Sequence, residues 1–271
     1  MGRLQGKVAI ITGAGSGIGR ETLLSFAEAG ADVVAADIDL PAAERSAELA
    51  RLLGVQAFAR KVDVGSSGDM QAFAAWVEEE LGAPDVVVNN AGIGMAGAVL
   101  DTQPSDWDRI LRINLGGVIH GSTLFGRQMV AAGKRGQIVN VSSGLAFFPS
   151  RSTPAYATTK AAVQMLSECL RAELAGKGIG VSAVYPGVVD TPIVSKTQFN
   201  GAGDADAKRA RAQRLYDLRS LKPQAVAAAI VDGVRHNRPE IRVGVEVHAI
   251  RLVSRFLPGL TRRLARIEVA R

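Results

Sequence analysis

Hydrophobic residues along the chain fall into two alternating patterns. Short apolar runs at 8–11, 33–36, 57–59, 86–88, 138–141 and 181–185 are too brief for helices. They suit strands buried on both faces of a parallel sheet. Between them, segments 17–29, 41–53, 68–81, 104–132 and 156–174 carry apolar residues at spacings of three and four, as helices with one buried stripe do. Gly30 and Gly82 follow two of these segments, where a left-handed residue closes a helix. Strand and helix in alternation, joined by right-handed crossovers, predict an α/β fold: a doubly wound (Rossmann) parallel sheet in a single domain. The polar, weakly periodic stretch 191–221 reads as an excursion from that fold, on the side where a substrate loop belongs. The expected organisation is a dinucleotide-binding catalytic domain over 1–246 and a C-terminal extension over 247–271.

Composition narrows the class. The chain has 271 residues, 47% of them hydrophobic, enough for one large core. No apolar run is long enough to span a bilayer. Residues 1–7 lead straight into the first strand with no room for a signal peptide, so a cytoplasmic protein is expected. Cys169 is the single cysteine and lies in an apolar helical pattern, where a buried small hydrophobe is expected. The formal charge of +6 is uneven: nine arginines and three acids fall from Arg235 onward, leaving the first 234 residues balanced. A nucleic-acid reader would spread its basic stripe over the folded face, so nucleic acid is excluded as a partner. No metal ligand set is assigned.

Chemistry enters after the first strand, at Thr12-Gly13-Ala14-Gly15-Ser16-Gly17-Ile18-Gly19, followed by a helix. Glycines let the backbone turn sharply and approach a pyrophosphate, and a helix N-terminus offers unpaired N–H groups to that anion. The second strand ends at Asp37, where a carboxylate accepts hydrogen bonds from ribose hydroxyls and repels a 2′-phosphate. Ile38 follows it and Ser16 precedes the middle glycine, so no cation is expected to favour NADP, and NAD is the predicted cofactor. Tyr156 and Lys160 stand four apart on one helical face. A tyrosine is a poor base at neutral pH, but a neighbouring ammonium favours its phenolate and makes proton transfer accessible.

With these residues in place, the sequence resembles the short-chain dehydrogenase/reductase family, in its compact branch. The likeness rests on residues 12–19, Asn89-Asn90-Ala91-Gly92, Asn114, Ser143 and Tyr156-x-x-x-Lys160, with Asp63-Val64 and Pro186-Gly187 plus Thr191 in support. It covers roughly residues 4 to 245. The resemblance implies that Tyr156 is the general acid/base, that Lys160 tunes it and holds the nicotinamide ribose, and that Ser143 hydrogen-bonds the substrate oxygen. It implies that Asn114 holds a water linking Lys160 to solvent. It further implies that Asp63 and Val64 contact adenine, that Asn90 meets the cofactor ribose region and Thr191 with Val189 the carboxamide, and that Ala91, Gly92, Pro186 and Gly187 also bind the cofactor. Asn89 is as readily a sheet-stabilising residue, and Ser142 competes with Ser143. A dimer or tetramer is implied, the homotetramer being the expected form.

Segments 94–96 and 145–149 and Val188 are mostly apolar, with Arg151 expected outside, so a hydrophobic alcohol or ketone is the expected substrate. Phe147 and Phe148 are open between lining the site and core packing. The extension places Val253, Phe256, Leu257, Leu260, Leu264 and Ile267 at helical spacing, with Arg251, Arg255, Arg262 and Arg266 on another face. Pro258-Gly259 should divide it into two short helices. Three readings stay open for it: packing on the substrate loop or a neighbouring subunit, peripheral contact with an anionic membrane, or disorder. Two functions compete with the NAD(H)-dependent enzyme: a dinucleotide-binding sensor without turnover, and a membrane-surface adaptor.

Overall fold

The computed structural model of the chain describes residues 4–193, 196–201 and 221–266. Strands β1 (Val8–Thr12), β2 (Asp32–Asp37), β3 (Ala57–Lys61), β4 (Val86–Asn89), β6 (Gly136–Val141), β7 (Ile179–Pro186) and β9 (Glu240–Val243) form one sheet in the order β3-β2-β1-β4-β6-β7-β9. All its pairings are parallel. A separate parallel pair joins β5 (Met95–Ala96) to β8 (Gln198–Phe199). Helices α1 (Gly17–Glu28), α2 (Leu40–Arg51) and α7 (Pro223–Arg235) cover one face. On the other lie α3 (Ser67–Leu81), α5 (Gly117–Ala131) and α6 (Pro154–Leu174). This is the expected doubly wound fold.

Strand alternation sends neighbouring residues to opposite cores. Ile11, Val33 and Val88 meet Leu23 and Phe26 of α1 and Ile230 of α7. Ile10, Val34 and Val87 meet Phe73 of α3 and Phe125 and Met129 of α5. Full burial of such side chains stabilises by roughly 1.5–3 kcal/mol each, enough to pin the register. Chain order runs outward from β1 to β3, then restarts at β4 on the other side of β1. The two halves therefore diverge at the C-terminal ends of β1 and β4, where a ligand crevice opens.

Several expectations are corrected. Segment 104–132 is not one regular helix: α4 (Pro104–Leu111) passes into α5 through a π turn at Arg112–Gly116. Helix α7 and strand β9 lie beyond the expected elements. Glu240-Ile241-Arg242-Val243 carries charges because β9 is an edge strand, with Ile241 alone fully buried. Cys169 is exposed on α6 rather than buried. The extension forms α8 (Val245–Phe256) and α9 (Pro258–Leu264), divided at the proline as expected. Arg251 leaves the solvated face assigned to it, turning inward to Glu240 at 2.9 Å and over the Phe147 ring at 4.8 Å. Ile267 and most of 191–221 lie outside the described residues. No helix among the described residues is long and apolar enough to cross a membrane.

Candidate active site

The loop at residues 12–19 is built on glycines whose positions leave little room for a side chain. Gly13 takes φ +67, and a Cβ on it would meet Ala91 Cα at 2.8 Å; a Cβ on Gly19 would overlap the Gly13 carbonyl. Thr12 Oγ1 accepts from the backbone N–H groups of Asn90 (3.0 Å) and Ala91 (3.1 Å), joining β1 to β4 where the halves diverge. The Asn90 amide donates to the carbonyls of Thr12 and Gly13, so this side chain holds the loop's shape. At the α1 N-terminus Ser16 makes no capping bond and the first turn has no acid, which leaves the N–H groups and dipole facing the crevice. Ile18 turns into the core beneath the loop. This cradle fits the pyrophosphate of a dinucleotide.

Asp37 ends β2 with one carboxylate oxygen accepting from Gly15 N–H at 2.8 Å and the other from Asp39 N–H at 3.0 Å. The loop and the Asp37 carboxylate are therefore one hydrogen-bonded unit. The expectation that no cation stands near needs correction: Arg20, one helical turn into α1, reaches back to the Gly15 carbonyl and to Ser46 Oγ of α2. Ile38 and Ser16 supply no charge, as expected. The Asp63 carboxylate accepts from Gly65 N–H and from Arg112 of the π turn, while Val64 is buried against Gly117.

Tyr156 and Lys160 lie in the first two turns of α6, which opens with Pro154, a residue preset for helix starts. Lys160 is 4% exposed; its Nζ donates to the Val141 carbonyl at 2.9 Å and stands 5.6 Å from the Tyr156 ring centroid. Burial pushes its pKa down to about 8, because a desolvated ammonium is disfavoured. A Cβ on exposed Gly92 would lie 3.2 Å from Asn114 Oδ1 and 3.6 Å from Lys160 Nζ, so the crevice floor brings these residues together. Asn114 sits in the π turn, fully buried, its Oδ1 accepting from Ile93 N–H and its Nδ2 donating to the Ile93 carbonyl. Such turns widen a helix by one residue and recur at functional sites.

The two serines after β6 separate cleanly. Ser142 Oγ donates to the Lys160 carbonyl at 2.7 Å inside the protein, a structural bond. Ser143 points the other way and caps a short turn, its Oγ accepting from Leu145 N–H at 3.2 Å. Asn89 belongs to a buried network with Ser122, Asn140 and Ser167 behind α6, on the structural side of its two readings. Thr191 closes over the loop, since a Cβ on Gly17 would lie 3.1 Å from its methyl. Pro186 ends β7, Gly187 N–H donates to the Val243 carbonyl, and Val189 bridges to Leu221. Phe147 is core: it lies 4.6 Å from the Tyr185 ring and packs on Val247. Leu145, Ala146, Phe148 and Val188 stay half-buried, and Arg151 is outside as expected. Sequence reasoning missed Arg20 and Glu246, whose carboxylate meets Val188 N–H at 3.4 Å. Neither carries a local signal, since helical back-reach and tail docking appear only in three dimensions.

Comparison with known proteins gives this geometry a context. A family model described as short chain dehydrogenase matches residues 7–200. The Mycobacterium tuberculosis protein named probable oxidoreductase EphD is 46% identical over 264 residues, 96% of this chain. The chain spans only 44% of that relative's length. A short chain dehydrogenase/reductase from Burkholderia phymatum, solved in complex with NAD, superposes with a TM-score of 0.87 at 29% identity, covering 97% of this chain and 96% of its own. A 7α-hydroxysteroid dehydrogenase, solved with NADH and 7-oxo glycochenodeoxycholic acid, is 32% identical with a TM-score of 0.77, covering 89% of this chain and 94% of its own. A family match across most of the chain, and a relative sharing nearly half its residues, make this protein a member of the short-chain dehydrogenase/reductase family of oxidoreductases.

Proposed function

We propose that the chain is an NAD(H)-dependent oxidoreductase that interconverts a hydrophobic secondary alcohol and its ketone. The observation that carries the proposal is the buried Lys160 ammonium beside Tyr156, opening through Gly92 onto the same crevice as the phosphate loop. A nicotinamide dinucleotide supplies the hydride acceptor or donor when bound. Gly13, Ser16, Gly17, Ile18 and Gly19 with the α1 N-terminus hold its pyrophosphate, and Asp37 its adenosine ribose. Asp63 and Val64 flank the adenine, and Asn90, Ala91, Gly92 and Lys160 the nicotinamide ribose. Pro186, Gly187, Val189 and Thr191 meet the carboxamide. Tyr156 takes the proton from the alcohol oxygen, or returns it to the ketone oxygen in the reverse direction. Lys160 stabilises the phenolate by its charge. Ser143 hydrogen-bonds the same substrate oxygen, and Asn114, fixed to Ile93, holds the water that links Lys160 to solvent.

Asp37 favours NAD over NADP because a 2′-phosphate would meet a carboxylate already fixed by Gly15. Two solved relatives carry NAD or NADH, which supports this choice. Leu145, Ala146, Phe148 and Val188 give the substrate side an apolar wall, and one of those relatives holds a 7-oxo steroid acid. The reading includes a cytoplasmic protein that works as a dimer or tetramer. NADH formation from NAD and a panel of secondary alcohols, run beside NADP, tests it. Faster turnover with NAD on apolar alcohols is expected; tight NADH binding with no turnover of any alcohol or ketone would leave the sensor reading instead.

A further inference from the structure

The C-terminal extension is two-faced. Its inner face is built: Val247 is fully buried against Phe147 and Tyr185, and Arg251 is held by Glu240. Among the described residues, nothing covers its outer face. Leu252, Phe256 and Leu257 are 56%, 69% and 56% exposed, and Leu260 and Leu264 follow at 42% and 43%. Residues 252 and 256 share one side of α8, 260 and 264 share one side of α9, and 257 lies at the junction between the two helices. Arg255, Arg262, Arg263 and Arg266 are exposed among them, and Glu246 is the acid of these two helices. An exposed apolar stripe edged by arginines matches an anionic lipid surface, where apolar side chains enter the headgroup boundary and cations meet lipid charge.

Position gives this face its meaning. The end of α9 is tied to the segment that leads into Tyr156 and Lys160 of α6, because Arg151 donates to the Arg266 carbonyl at 3.1 Å. Next to Arg151, the Ser152 carbonyl accepts from Gly97 N–H at 2.8 Å. Gly97 leads directly to Val99 and Leu100, which are 54% and 95% exposed. The extension and the 97–101 turn thus border the crevice on the side where the strands end. A second copy of the chain is the weaker occupant. A closed symmetric contact would set this patch against itself, and like charges facing each other across an interface cost several kcal/mol.

We propose that α8 and α9 dock the protein on an anionic lipid surface with the crevice mouth toward the lipid, so that an apolar substrate enters from the membrane. The entry route rests on the hydrophobic-alcohol reading above; the docking does not. The test is binding to vesicles of equimolar phosphatidylglycerol and phosphatidylcholine, without substrate. Wild type should sediment with them at low salt and be released by high salt. Arg255→Gln/Arg262→Gln/Arg263→Gln should bind about a hundredfold more weakly, as should Phe256→Ser/Leu260→Ser, with NADH binding unchanged as evidence of folding. For orientation, a polarity-sensitive dye is placed on Leu100→Cys, or on Leu52→Cys at the far end of the sheet, each in a Cys169→Ser background. Vesicles should shift the Leu100→Cys emission to the blue and leave Leu52→Cys unchanged. No sedimentation of wild type, equal shifts at the two positions, or loss of a dimer in Phe256→Ser/Leu260→Ser would overturn the proposal. Turnover of a water-soluble secondary alcohol without vesicles reports the catalytic reading separately, so either can fail alone.

Discussion

A buried ammonium is a liability unless the fold uses it, and Lys160 donates to the Val141 carbonyl with Tyr156 nearby. Burial pushes its pKa from 10.5 down to about 8. Between those values the unfolded chain binds a proton that the folded chain does not, so this lysine makes stability rise with pH across that window. Below pH 8 both states are protonated and the burial cost is fully felt. Denaturant titrations of the wild type and Lys160→Met at pH 7 and pH 10 isolate the effect. The wild type should gain on the order of 3 kcal/mol relative to the variant; parallel pH profiles would mean that Lys160 stays solvated. The same variant should weaken NADH binding, since the residue is proposed to hold the ribose.

At the scale of elements, the loop at residues 12–19, the end of β2 and the Asn90 segment act as one device. Gly15 binds Asp37, Asn90 binds Thr12 and Gly13, and Arg20 braces Gly15 against α2. Asp37→Ala should therefore do two things: narrow the preference for NADH over NADPH by removing a negative charge, and loosen the loop by freeing Gly15. Fluorescence titration with both cofactors checks this. A wild type that binds NADPH more tightly, or an unchanged ratio in the variant, contradicts the role given to the carboxylate. The glycines, Asp37 and the tyrosine–lysine spacing are legible in the sequence because each follows from backbone sterics or helical periodicity. The π turn at Arg112–Gly116 is not, since its apolar pattern runs on through α4 and α5. Arg20, Glu246 and the inward turn of Arg251 also escape, because their contacts form only once the chain has folded and no local pattern announces them. Cys169 misleads for the opposite reason: its segment is periodic, but it falls just off the buried stripe marked by Val163 and Ser167.

At the scale of the molecule, Ile119 and Val130 on α5 and Met165 on α6 remain exposed on the outer layer of one sheet face. Pairing of these helices between subunits would cover them in a closed oligomer. Light scattering at micromolar concentration should show a dimer or tetramer, and Ile119→Asp/Met165→Asp should shift it toward monomer; a wild-type monomer refutes the assembly. The whole account turns on one proton-transfer group, so its most direct test is Tyr156→Phe assayed for NADH formation on an alcohol the wild type accepts. Loss of a single hydroxyl should lower turnover by roughly a hundredfold or more while leaving NADH affinity nearly unchanged. A wild-type rate in that variant would contradict the assignment of Tyr156 and, with it, the mechanism.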